Sequence, residues 1–79
     1  MTLQQLRLKA GLLQEQVCKR NKITISYLSL LEHGKRNPSD KLKRGLARTY
    51  GVDYITIYKA IEKTRKFFLN KSFTNSKKN

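Results

Sequence analysis

The chain has a single cysteine, Cys18, so no disulfide can close within it. Together with the one histidine, His33, that cysteine falls short of the ligand set of a structural zinc site. Tryptophan is absent, and the only proline is Pro38. The glycines are Gly11, Gly34, Gly45 and Gly51. Such sparse punctuation favours helices joined by short turns. One histidine, few carboxylates and no glycine-rich phosphate loop leave little from which to build a catalytic site. The expectation is a non-enzyme with neither metal nor cofactor. No apolar run approaches the ~20 residues that span a bilayer. The opening Met1-Thr2-Leu3-Gln4-Gln5 has neither the charged start nor the apolar stretch of a secretion signal. These absences predict a soluble, cytoplasmic protein that does not engage a membrane.

What the sequence does have is positive charge. Eighteen lysines and arginines stand against five acidic residues, for a net charge of +13 on 79 residues. The excess is +8 over residues 1–61 and +5 over residues 62–79, so the basicity is general with an enriched end. A balance of this kind points to a polyanionic partner, nucleic acid foremost. A chain of this length is one small domain that buries only ~60% of its unfolded surface.

Hydrophobic periodicity divides the chain into five short helices. Thr2 is placed to cap a first helix to about Ala10, with Leu3, Leu6 and Ala10 on one stripe and Gly11 as its stop. Leu12 and Leu13 lead into Gln14–Arg20, where Leu13, Val17 and Cys18 form a narrow inward face. Asn21-Lys22-Ile23 makes a turn. Thr24 caps a third helix, Ile25 to His33, with Leu28 and Leu31 at i, i+3. Lys35-Arg36-Asn37-Pro38 is a basic loop, and Ser39 or Asp40 caps a fourth helix to Tyr50 along Leu42, Leu46, Ala47 and Tyr50. Asp53 caps a fifth, with Tyr54, Ile57, Tyr58 and Ile61 at i, i+3, i+4, i+7. Phe67-Phe68-Leu69 can extend it, and the Asn/Ser/Lys-rich end from Asn70 reads as disordered. The domain is therefore drawn over residues 1–61, with a basic extension over 62–79.

Helices two and three, joined by a tight turn, have the proportions of a helix-turn-helix. The residues Gln14-Glu15-Gln16-Val17-Cys18, then Ile23, then Ser26-Tyr27-Leu28-Ser29, Glu32 and Gly34-Lys35-Arg36-Asn37-Pro38-Ser39 fill it. In this run the chain resembles the lambda-type Cro/repressor (XRE) family of helix-turn-helix regulators, from roughly Leu3 to Ile61. The resemblance implies an all-α, compact five-helix bundle of the lambda repressor-like kind. It also implies a bacterial or phage-encoded, nucleoid-associated regulator of transcription that binds double-stranded DNA as a homodimer.

Site residues follow from the same resemblance. The face of helix three that reads base edges corresponds to Ile25, Ser26, Ser29 and Leu30. Phosphate contacts fall on Gln14, Tyr27, Lys35, Arg36 and Asn37, although Tyr27 suits either a phosphate or an inward-packed ring. Arg7 and Glu32 align with a buried structural ion pair. Tyr54, Tyr58, Ile61 and Phe68 mark the dimer surface, against the reading that they only fill a monomer's core. Cys18 sits where close-crossing helices want a small residue, which makes it a packing position. His33 reads as an exposed cap.

The chain departs from the family pattern in three places. Asn21-Lys22 replaces a Leu-Gly pair at a turn whose backbone goes left-handed, a region that costs a non-glycine residue ~1 kcal/mol. Lys43 and Gly45 replace apolar or helix-favouring residues, which predicts a short or mobile fourth helix. Ile25 and Leu30 stand where bidentate polar readers are usual; they offer only contact to thymine methyls. A second function follows from that: a protein-interaction module, such as an anti-repressor or co-regulator, docking a regulatory partner on Ile25 and Leu30.

Overall fold

The computed structural model describes the backbone of residues 1–78 and the side chains of residues 1–69. The expected disorder from Asn70 onward lies outside the residues described in full. Five helices run in order: α1 (Leu3–Lys9), α2 (Gln14–Asn21), α3 (Ile25–Glu32), α4 (Asp40–Tyr50) and α5 (Tyr54–Lys78). Among the described residues there is no strand. The fold is an all-α bundle.

Polar caps set the helix starts. Thr2 and Gln5 form a reciprocal capping box on α1: Gln5 N–H donates to Thr2 Oγ1 at 3.3 Å, and Thr2 N–H donates to Gln5 Oε1 at 2.9 Å. Thr24 accepts from Tyr27 N–H at 3.1 Å, Ser39 from Leu42 N–H at 3.2 Å, and Asp53 from Thr56 N–H at 2.9 Å. Each such cap stabilises its helix by about 1 kcal/mol. Gly11, Gly34 and Gly51 end α1, α3 and α4 at φ between +70° and +74°, where a Cβ is strained.

The core draws on every helix: Leu3 and Leu6, Val17 and Cys18, Leu28 and Leu31, Leu46, Ala47 and Tyr50, then Ile57, Ala60 and Ile61. Full burial of one such side chain contributes about 1.5–3 kcal/mol. Two positions expected on the inward stripes turn outward. Leu13 is the N-cap of α2 and is exposed, so Leu12 packs against the core in its place. Ala10 is the C-cap of α1 and is also exposed.

α4 is neither short nor broken, and its two unusual residues have structural reasons. A Cβ built on Gly45 would run into Asn21 Oδ1, so glycine lets the end of α2 approach α4. Asn21 Nδ2 donates to Val17 O and to Thr49 Oγ1, both at 2.9 Å, and Thr49 Oγ1 donates to Gly45 O at 2.8 Å. Lys43 is buried, with Nζ 5.2 Å from the centre of the Tyr58 ring and 3.9 Å from Asp40 Oδ1. A lysine stem is apolar enough to serve as core while its ammonium reaches an aromatic face.

Packing continues past Ile61, beyond the boundary drawn from the sequence. Thr64 is 1% exposed; its Oγ1 accepts the Leu3 N–H at 2.9 Å and donates to Ala60 O at 2.8 Å. One hydroxyl thus satisfies an otherwise orphan amide at the start of α1 and ties α5 to it. Gly34 abuts the backbone of Thr64 and Arg65, where an added Cβ would come within 3.2 Å of Arg65 Cα.

Candidate nucleic-acid interface

The helix-turn-helix is built from α2, the turn and α3. Its turn passes through Lys22, the C-cap of α2, at φ +55° and ψ +46°. Lys22 is the left-handed residue, and Asn21 stays in the helix. Lysine thus takes up the left-handed conformation at this turn, at a strain of about 1 kcal/mol. Val17, Cys18, Leu28 and Leu31 hold α2 against α3 from inside. Burial pushes the Cys18 thiol above its ordinary value, in keeping with a packing role.

α3 presents its N-terminal end outward. Ile25 is 50% exposed, Ser26 is exposed, and Ser29 and Leu30 are half-buried beside them. All four stand on the side of α3 opposite Leu28 and Leu31. Lys35, Arg36 and Asn37 follow as an exposed loop, with Arg36 Nη1 donating to Lys35 O at 3.2 Å. Tyr27 takes an intermediate place: its ring packs partly against the core.

Behind this face lies a polar cluster. Arg7 Nε donates to Glu32 Oε2 at 2.6 Å and Arg7 Nη2 to Glu32 Oε1 at 3.3 Å. Arg7 Nη1 donates to Leu12 O at 3.1 Å. Arg7 is 7% and Glu32 4% exposed, so a bidentate pair joins α1 to the end of α3 out of solvent. The hydrogen bond to Glu32, more than its charge alone, raises the Arg7 pKa against the opposing effect of burial. Gln14 belongs to the same cluster, with Nε2 donating to Glu32 Oε1 at 3.1 Å. The sequence offered no sign of that bond; it follows from α2 starting beside the end of α3.

His33 caps α3 and is exposed, with Nδ1 2.7 Å from Ser29 O and its ring 5.4 Å from that of Phe68. The four residues expected at a dimer surface do not form one patch. Tyr54 and Tyr58 are partly exposed against α4, where Tyr54 O–H donates to Asp40 Oδ1 at 2.9 Å. That bond raises the Tyr54 pKa. Ile61 is 5% exposed and fills the core, leaving no surface for a partner. Phe68 lies fourteen residues after Tyr54, about 21 Å along the helix, and packs on His33.

Among the described residues, no group of three His, Cys, Asp or Glu side chains is arranged to hold a metal ion, and no helix is long and apolar enough to cross a membrane. Arg20, Lys22, Lys41 and Arg48, none of them assigned a DNA contact from the sequence, line one groove beside the turn. Individually each reads as an ordinary solvated residue.

The helix-turn-helix domain family matches residues 1–54. Two bacterial proteins are similar over most of the chain. One is the HTH-type transcriptional regulator DdrOP3 of Deinococcus deserti, 35% identical over 60 residues, which are 76% of this chain and 46% of the relative. The other is the uncharacterized HTH-type transcriptional regulator y4dJ of Sinorhizobium fredii, 37% identical over 59 residues, 75% of this chain and 77% of that one. The chain thus spans under half the length of the first relative and most of the second. No solved structure gives a significant match. With its helix-turn-helix formed by α2 and α3 and the match spanning residues 1–54, the chain belongs to the helix-turn-helix domain family.

Proposed function

We propose that the chain is a non-enzymatic, sequence-specific regulator of transcription, of the repressor or Cro-like kind. It sets the N-terminal part of α3 into the DNA major groove. The observation that carries this reading is the outward N-terminal end of α3, Ile25 and Ser26, flanked by cations on a chain of net charge +13. Two similar proteins bear the name of transcriptional regulators, which supports it. Ile25 and Leu30 meet thymine methyls, while Ser26 and Ser29 hydrogen-bond to base edges. Lys35, Arg36 and Asn37 take phosphates, as does the Tyr27 hydroxyl. Gln14 Nε2 has two hydrogens, one committed to Glu32, and its second serves a phosphate. The protein works as a homodimer in the cytoplasm, bound to the nucleoid, and Tyr54 and Tyr58 supply the aromatic part of the contact.

Selection of bound duplexes from a random pool, with affinity followed against salt, tests this. The expected winner is palindromic, with half-sites one helical turn apart, and beats random DNA by about a thousand-fold or more. Binding that is steeply salt-dependent yet blind to sequence would overturn it. The second reading, a docking surface for a regulatory protein, is favoured by the exposed aliphatic Ile25. Under that reading Ile25→Ala with Leu30→Ala abolishes the protein complex and leaves non-specific DNA binding intact.

A further inference from the structure

A groove of about 540 Å³ lies between the end of α2, the turn and α4, lined by Arg20, Lys22, Lys41 and Arg48 together with Tyr27 and Gly45. All four cations are exposed. Among the described residues the ion pairs are Arg7–Glu32 and Lys43–Asp40, so no carboxylate neutralises any of the four. Like charges gathered around one concavity repel each other and add nothing to folding. They do focus a positive potential into the groove.

Three further observations point the same way. Lys22 is the one non-glycine residue with positive φ among the described residues, at a turn position where glycine is unstrained. The turn sets that backbone, so a lysine there costs about 1 kcal/mol that a glycine would not. Ser39, the N-cap of α4, also lines the groove, while Asp40 in the same first turn is engaged by Lys43 and the Tyr54 hydroxyl. Finally, the groove shares Tyr27 with α3, next in sequence to Ser26. It therefore adjoins the face assigned to base edges.

We infer that this groove is a second phosphate site, in which Arg20, Lys22, Lys41 and Arg48 hold the DNA backbone that flanks the major-groove contact of α3. The inference rests on the DNA-binding reading above. It extends the footprint from the Lys35–Asn37 loop along the start of α4 to the turn. Because these contacts meet phosphates alone, they add affinity and salt dependence without changing sequence preference.

The test uses Lys22→Gly, a variant that removes the charge and relieves the left-handed strain together. Its urea midpoint should rise while its affinity for duplex falls, so weaker binding cannot be blamed on unfolding. The slope of log K against log salt should become shallower by about 0.9, and by about twice that in Lys22→Gly/Arg48→Gln. The sequence preferred in selection should stay the same. Lys59→Gln, on the α1–α5 side of the molecule, is the control for net charge. An unchanged slope in the double variant, or an equal loss in Lys59→Gln, overturns the site. If the unaltered protein binds no duplex, the transcriptional reading itself fails. The groove is then probed with sodium pyrophosphate by NMR: saturable shifts confined to the Lys22, Lys41 and Arg48 amides uphold an anion site, and their absence rejects it.

Discussion

Replacing Glu32 by alanine tests the reasoning about the buried cluster most directly. The carboxylate accepts three side-chain hydrogen bonds, from Arg7 Nε, Arg7 Nη2 and Gln14 Nε2, and is 4% exposed. Without it, the guanidinium of a side chain 8% exposed keeps only the Leu12 carbonyl as a partner. Leaving one charge of a buried pair alone costs about 3–5 kcal/mol. A domain of 79 residues has a total stability of about 4–12 kcal/mol, so this single change removes a large share of it. At about 4–8 °C per kcal/mol for a domain of this size, Tm should fall by at least about 12 °C. Arg7→Met combined with Glu32→Leu removes both charges and fills the space. It should stand within about 2 kcal/mol of the unaltered protein, and above either single variant. Urea denaturation followed by circular dichroism reads each midpoint at constant slope. A loss below about 1 kcal/mol in Glu32→Ala, or a double variant as unstable as the sum of the singles, would refute the account of Arg7–Glu32 as a coupled buried pair.

Three other changes probe different parts of the fold. Tyr50 is 7% exposed, and its hydroxyl has no hydrogen-bond partner among the described residues; burial holds its pKa far above the usual range. Tyr50→Phe should therefore be neutral or stabilising by up to about 1 kcal/mol in the same urea assay, and a marked loss would show that the hydroxyl is bonded. Gly45→Ala gains about 0.5–1 kcal/mol of helix propensity but displaces Asn21 from Val17 O and Thr49 Oγ1, for a net loss of about 1 kcal/mol; a gain in Tm would contradict the close approach of α2 to α4. Asp53 is held below its ordinary value of 3.8 by the Thr56 hydroxyl first and the Thr56 N–H second. Its folded pKa lies under its unfolded one, so its stabilisation is complete above the unfolded value and is lost as pH falls through the folded value. The stability gap between the unaltered protein and Asp53→Ala should be constant near neutrality and close in acid; a gap that widens on acidification would reverse the sign.

Much of the arrangement is legible in the sequence, because it is written in local chemistry. Thr2, Thr24, Ser39 and Asp53 each precede a periodic apolar segment and each caps a helix. The stripes Leu28–Leu31 and Leu46–Ala47–Tyr50 are buried as their spacing requires. Leu13 misled because an N-cap residue lies outside the helical period that the pattern assumes. Lys43 and Gly45 misled for a different reason. Their fitness depends on Tyr58 and Asn21, which come from other helices and are not predictable from α4.

The order of helices, their caps and stops, the inward stripes and the strong positive charge follow from the sequence alone. Each depends on a residue and its neighbours within a turn or two, or on a sum over the whole chain. Tertiary structure decided the rest. Packing of α5 against α1 and α4 took Ile61 into the core and drew Thr64 onto the Leu3 amide. The meeting of α2 with α3 gave Gln14 a carboxylate to bond. Four cations separated by up to 28 positions, Arg20 to Arg48, came to share one groove. Side chains that meet across different helices have no fixed spacing in sequence, so only the packed fold brings them together.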